Sequence, residues 1–144
     1  MFNFCQKWLT GIGIYLAIFG IILAIFPQSA LMNFLFNNQI DPGFWVDGQL
    51  PANATYFQAW IYGVLGATVS GWGILLASIA FIPFKKKEKW AWNSLAGAIG
   101  FWYVVDTLIS AVYRVEFNAI FNTLILLSAA IPLALTRRQF VQKR

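Results

Sequence analysis

The stretch Trp8-Leu9-Thr10-Gly11-Ile12-Gly13-Ile14-Tyr15-Leu16-Ala17-Ile18-Phe19-Gly20-Ile21-Ile22-Leu23-Ala24-Ile25-Phe26 contains no charged residue. Wound as a helix, about 20 residues of this kind cross the ~30 Å hydrocarbon core of a bilayer. Three further runs are similarly apolar, one of them holding a single charged residue: Phe57–Phe84, Trp90–Tyr113 and Phe117–Leu135. Together they predict an all-α integral membrane protein, an antiparallel bundle of four transmembrane helices at about 8–26, 57–84, 90–113 and 117–135. The bundle forms a single membrane domain over 1–144, with a partly structured outer loop at 27–55 between the first two spans.

Composition agrees. Hydrophobic residues make up 60% of the chain and charged residues 10%, and the mean hydropathy is +0.67. A soluble domain carries about 25% charged residues to cover its surface. The basic pI does not point to nucleic acid, because the cations cluster at span ends and no recognition motif accompanies them. Histidine is absent and Cys5 is the one cysteine. The common heme and zinc sites, a CxxC redox pair and a Ser-His-Asp triad therefore have no residues to build them. No metal or cofactor is expected, and Cys5, beside Lys7, reads as an interfacial residue.

The first span is too long for a signal-peptide core of 7–15 residues, and Pro27-Gln28-Ser29-Ala30 is a poor cleavage site. It is expected to remain as a helix. The positive-inside rule sets the orientation. Lys7, Lys85, Lys86, Lys87, Lys89, Arg137, Arg138, Lys143 and Arg144 fall on one side of the spans, and of the ten basic residues only Arg114 falls on the other. Both termini are then cytoplasmic. Lys85, Lys86, Lys87, Arg137 and Arg138 lie against anionic lipid headgroups, each worth about 1 kcal/mol of attraction.

In the outer loop, Ser29 caps a short interfacial helix over Ala30–Phe36. Asp41-Pro42-Gly43 reads as a turn, and Phe44–Leu50, with Asp47-Gly48 at its centre, as a small hairpin. Asn53-Ala54-Thr55 matches a glycosylation sequon close to span two. Only Arg114-Val115-Glu116 separates spans three and four, which forces a tight helical hairpin.

Helices associate in lipid through small residues that let backbones approach. Span two offers Gly63, Gly66, Ala67, Ser70 and Gly71 in overlapping pairs four apart, followed by Gly73 and Ala77. Span one offers Gly11, Gly13, Ala17 and Gly20. These surfaces pack within the bundle or form a contact in a homo-oligomer or larger membrane complex. Trp8, Trp90 and Trp92 near the inner boundary, with Trp45, Trp60 and Tyr113 near the outer, make an aromatic belt. Trp72 and Trp102 are deeper; they fill gaps beside glycines or wall an apolar pocket. Pro132 either kinks span four or marks its end.

Asp106 is the ionisable residue well inside a span. It lies seven residues before Tyr113, roughly 10 Å below the outer edge at about 1.5 Å per residue. An acid at that depth costs several kcal/mol unless paired, protonated or wetted, which marks it for function. Tyr103, Asp106, Ser110 and Tyr113 form one polar stripe. Across the hairpin stand Asn118 and Asn122, with Arg114 and Glu116 at the mouth. Two roles are open: a polar tie between spans three and four, or an outward-facing site for a headgroup, small solute or proton.

The layout resembles small four-helix bacterial inner-membrane proteins of DoxX-like or unknown function. The features that carry the resemblance are Phe26-Pro27, Tyr62-Gly63, Gly66-Ala67-Thr68, Gly71-Trp72-Gly73, Asp106-Thr107, Asn118 and Asn122. It implies the bacterial inner membrane and carries over no catalytic residue. The function expected from the sequence is a non-enzymatic structural or accessory subunit of a membrane assembly. The alternative is a small transporter or lipid- or small-molecule-binding protein with its polar site around Asp106.

Overall fold

The computed structural model describes residues 1–45 and 50–141; the central Val46–Gln49 of the expected hairpin and the basic Lys143 and Arg144 lie outside that range. The described regular structure is helical throughout, with no strand. The long helices are α1 (Phe2–Ile25), α2 (Ala52–Ile79, running on through a wider π turn at Ala80–Phe84), α3 (Lys89–Val112) and α4 (Glu116–Thr136). All four are long and apolar enough to cross a membrane. Their outward faces carry large apolar side chains, among them Ile14, Ile18 and Ile21 on α1 and Ile120, Leu124, Leu127 and Ile131 on α4.

α1 and α2 both begin earlier than hydropathy suggests. α1 starts at Phe2 because its first turn has partners: the Phe2 ring stacks on Phe84 at 5.7 Å, and Gln6 Nε2 donates to the Ala80 carbonyl at 3.1 Å. Cys5, expected at the interface, is buried there. α2 starts directly after Pro51, whose fixed φ suits a helix entry and whose missing N–H is not needed there.

The closest packing joins α1 to α2. Gly13, Ala17, Gly20 and Ala24 meet Ala77, Gly73, Ser70 and Gly66, so the two chains run in opposite directions along a small-residue seam. A Cβ on Gly13 would lie 2.7 Å from the Gly73 carbonyl oxygen, and one on Gly20 would lie 2.6 Å from the Ser70 nitrogen. Ser70 Oγ adds a hydrogen bond to the Ala17 carbonyl at 2.9 Å. Of the small residues anticipated on α2, Gly66 and Ser70 belong to this seam. Ala67 and Gly71 are exposed, and Gly63 only approaches the Ala24 carbonyl.

α4 neither stops nor breaks at Pro132; it continues to Thr136. Proline lacks the N–H that would bond the carbonyl four residues earlier. That carbonyl belongs to Ser128, and Trp8 Nε1 donates to it at 3.0 Å. Trp92 Nε1 likewise donates to the Leu133 carbonyl at 2.9 Å. Trp8 thus supplies the donor that Pro132 cannot, while the Leu133 carbonyl also accepts from Thr136 Oγ1 at 3.1 Å. At the end where α1 begins, Phe84 and Phe140 rings meet at 4.7 Å beside Phe2, closing that end with apolar packing.

The segment between α1 and α2 forms a run of short helical turns from Ala30 to Gly43. Ser29 caps it as expected, accepting from the Met32 backbone N–H at 3.3 Å. Asp41-Pro42-Gly43 forms its last turn, a 3₁₀ helix.

Candidate functional site

The site begins with the three-residue link between α3 and α4. Arg114 adopts a left-handed backbone, φ 58°. Its N–H bonds the Ala111 carbonyl at 3.1 Å, and the Val115 N–H bonds Ser110 at 2.8 Å. This closes the last turn of α3 and sends the chain straight back, so the first turns of α4 lie alongside the last turns of α3.

That reversal brings Asn118 and Asn122 to Asp106. Asn118 Nδ2 donates to Asp106 Oδ1 at 2.7 Å, and Asn122 Nδ2 donates to the same oxygen at 2.9 Å. Ser110 Oγ donates to the Asp106 backbone carbonyl at 2.7 Å and lies 3.3 Å from Oδ1. It also accepts from Asn118 at 2.8 Å. Asn122 and Ser110 are buried, and Asp106 and Asn118 are half-buried.

The arrangement ties α3 to α4 and leaves one carboxylate oxygen over. Asp106 Oδ2 takes no hydrogen bond from a described residue. Nor is it among the sealed polar atoms without a partner, which are Asn37 Oδ1 and Thr107 Oγ1. Asp106 lines a cavity of about 560 Å³ between the four helices.

Asp106, Asn118 and Asn122 form the polar end of this cavity, with the Tyr62 side chain also in its lining. The rest is apolar and rich in rings. Trp72 and Trp102 stand 5.4 Å apart, centroid to centroid, and both line it. They thus serve as cavity wall as well as filling. Phe36 and Ile40 enter from the segment between α1 and α2, and Phe36 meets Phe121 edge-on at 5.2 Å.

Polar contacts hold that segment in place. Asn37 Nδ2 donates to the Pro27 carbonyl at 3.1 Å, and Gln58 Nε2 on α2 donates to Asp41 Oδ1 at 2.8 Å. Burial lifts the Asp41 carboxyl above its usual range, and the Gln58 hydrogen bond offsets part of that rise.

Compared with protein-family models, with curated proteins and with solved structures, the chain matches none. Function has to be read from the site itself.

Of the residues singled out from the sequence, Asp106, Ser110, Asn118 and Asn122 come together. Tyr103 sits on the same helix but pairs with Thr123 Oγ1 at 3.3 Å. Arg114 and Glu116 are exposed and line no part of the cavity. Tyr113 is exposed and packs near Phe44, 6.3 Å between rings. Sequence reasoning did not select Tyr62, Phe36 or Phe121. Their signal was available only in part: aromatic residues at the depth of Asp106 are common in any membrane span, and only the packed helices show which of them face one space.

Proposed function

We propose that this chain is a multi-pass membrane protein, an antiparallel four-helix bundle that binds a small amphiphilic molecule in its central cavity, with no catalytic step of its own. One observation carries the reading: an aromatic cavity of about 560 Å³ whose polar end holds a half-buried carboxylate, Asp106, with one oxygen free of hydrogen bonds from the described residues. The volume falls within the range of about 300–1,000 Å³ usual for small-molecule sites. The lining follows the same logic, apolar for affinity with a few convergent polar groups for orientation. Residence in the bacterial inner membrane with both termini cytoplasmic draws support from the cations gathered at one end of the spans. In that orientation the Asp106 end of the cavity is the outer half, beneath the loop helix.

A second reading is an accessory subunit in a membrane assembly. Support comes from the face of α2 that carries Ala67 and Gly71, which are exposed, and Val64 and Ile74, which are apolar and unpartnered. A single experiment separates the two. The full chain is extracted in mild detergent and its mass recorded under native conditions, beside Ala98→Phe, which adds a ring at the exposed rim of the cavity to obstruct it. Binding predicts a retained small molecule that the variant loses. An empty chain held in a stoichiometric complex with another protein supports the accessory role instead.

A further inference from the structure

We infer that the cavity is made for an amphiphilic cation, an ammonium-type head on an apolar body, with Asp106 as its counter-ion. This rests on the cavity being a binding site and goes on to name the class of its ligand.

Charge is the first argument. Asp106 is the one Asp, Glu, Lys or Arg side chain among the described residues that line the space. Every described hydrogen bond to its carboxylate comes from an uncharged group, Asn118, Asn122 or Ser110. The nearest cation in sequence, Arg114, is exposed beyond the helix end and does not line the cavity. Intramembrane acids ordinarily pair with a base or a backbone group. Here two amide donors hold one oxygen in place, and the other takes no hydrogen bond from a described residue.

The walls select the kind of cation. Tyr62, Trp72, Trp102, Phe36 and Phe121 are among the residues that line the space, and aromatic rings attract a desolvated ammonium. A bare metal ion needs several oxygen ligands, usually with more than one charged among them; the lining offers one carboxylate, and its other polar groups, Asn118, Asn122, Tyr62 and Thr68, are neutral. A carboxylate or phosphate ligand would meet like charge with no compensating base. A neutral alcohol finds an acceptor in Asp106 but leaves its charge unbalanced. The apolar length of the cavity, from Asp106 at one end to Leu16 and Ile125 at the other, accepts the hydrocarbon body.

The test uses four probes of matched chain length: decylammonium, decyltrimethylammonium, 1-decanol and decanoate. Each is titrated into the full-length protein in dodecyl maltoside micelles while tryptophan fluorescence is read, since Trp72 and Trp102 line the cavity. Ala98→Phe supplies the background from micelle partitioning. The cations are expected to bind saturably, at least about tenfold more tightly than 1-decanol, the size of one shielded charge-assisted contact. Decanoate is expected not to bind. Asp106→Asn should abolish the preference for cations while leaving 1-decanol binding in place. Equal binding of cation and alcohol to the wild-type chain overturns the charge assignment and leaves the cavity reading intact. No saturable binding of any probe by the folded wild-type chain overturns both. The wild-type series decides the matter even if Asp106→Asn does not fold.

Discussion

A Cβ added to Gly20 would lie 2.5 Å from the carbonyl oxygen of Gly66, so α1 and α2 meet backbone to backbone at this point. Nothing flexible is present to give way. Gly20→Ala and Gly66→Ala are each expected to destabilise the protein by about 1–3 kcal/mol, the usual cost of overpacking. Gly71→Ala provides the contrast, because a Cβ there meets nothing within 4 Å. It should be neutral or stabilising by up to about 1 kcal/mol through better helix propensity. Thermal unfolding in detergent ranks the three variants. Equal losses at Gly71 and Gly66 would contradict the seam.

Arg114 holds a left-handed backbone, φ 58°, at the link that aligns Asn118 and Asn122 with Asp106. For a residue with a Cβ that conformation costs about 1–2 kcal/mol, and glycine escapes most of it. Arg114→Gly is expected to raise stability by roughly 0.5–1 kcal/mol. Because the arginine side chain lines no part of the cavity, ligand affinity should be unchanged. A large loss of stability would mean that the side chain has a structural partner.

Removing a donor from Asp106 should cost more than neutralising it. Asn122 is 2% exposed, and Asn122→Leu strips one of the two amide donors from the half-buried Asp106 carboxylate. The expected loss is about 1–3 kcal/mol. Asp106→Asn keeps an oxygen for Asn118 and Asn122 and turns its own amide toward the cavity, so its stability loss should be smaller. Comparing the two melts tests whether the tie between α3 and α4 depends on these hydrogen bonds.

Much of this arrangement was legible before any coordinates. Charge-free runs mark the four spans, and Asp106 stands out as the exception to them. The four-residue spacing of Asn118 and Asn122, set against a link of only three residues, places both near that acid. The α1–α2 register was not legible in the same way. On α2, Gly63, Gly66, Ala67, Ser70, Gly71 and Gly73 give several equivalent small-residue faces, and only the partner surface of Gly13, Ala17, Gly20 and Ala24 chooses among them. The cavity was hidden for a related reason. It is a volume left between helices, and local residue patterns do not encode how far those helices stand apart. Trp72 and Trp102 were noticed for their depth, but depth alone does not tell a packed ring from a pocket wall.

The raised Asp41 carboxyl gives the segment above the cavity a pH dependence of definite sign. Because burial lifts its folded value above the ordinary 3.8, the folded chain binds this proton more readily than the unfolded chain does. Stability from this group therefore falls as pH rises from about 3.8 through the folded value. Asp41→Asn retains an acceptor for Gln58 and removes the titration. The variant should melt slightly above wild type at pH 7, and the difference should shrink to nothing as pH approaches 3.8. A difference that instead grows on acidification would reverse the assignment.

The bond from Trp8 Nε1 to the Ser128 carbonyl, 3.0 Å long, exists because Pro132 has no N–H to offer that oxygen. The two residues should therefore be energetically coupled although one belongs to α1 and the other to α4. Trp8→Phe is expected to cost about 1 kcal/mol by leaving a backbone acceptor without a donor. In a Pro132→Ala background, the alanine N–H takes over the Ser128 carbonyl within the helix. Trp8→Phe should then cost clearly less. A double-mutant cycle on thermal or denaturant unfolding measures the difference directly. Additive losses would show that Trp8 stabilises the protein through the area it covers rather than through the carbonyl that Pro132 frees. A coupling of the expected sign would identify proline and tryptophan as a matched pair joining the first and last spans.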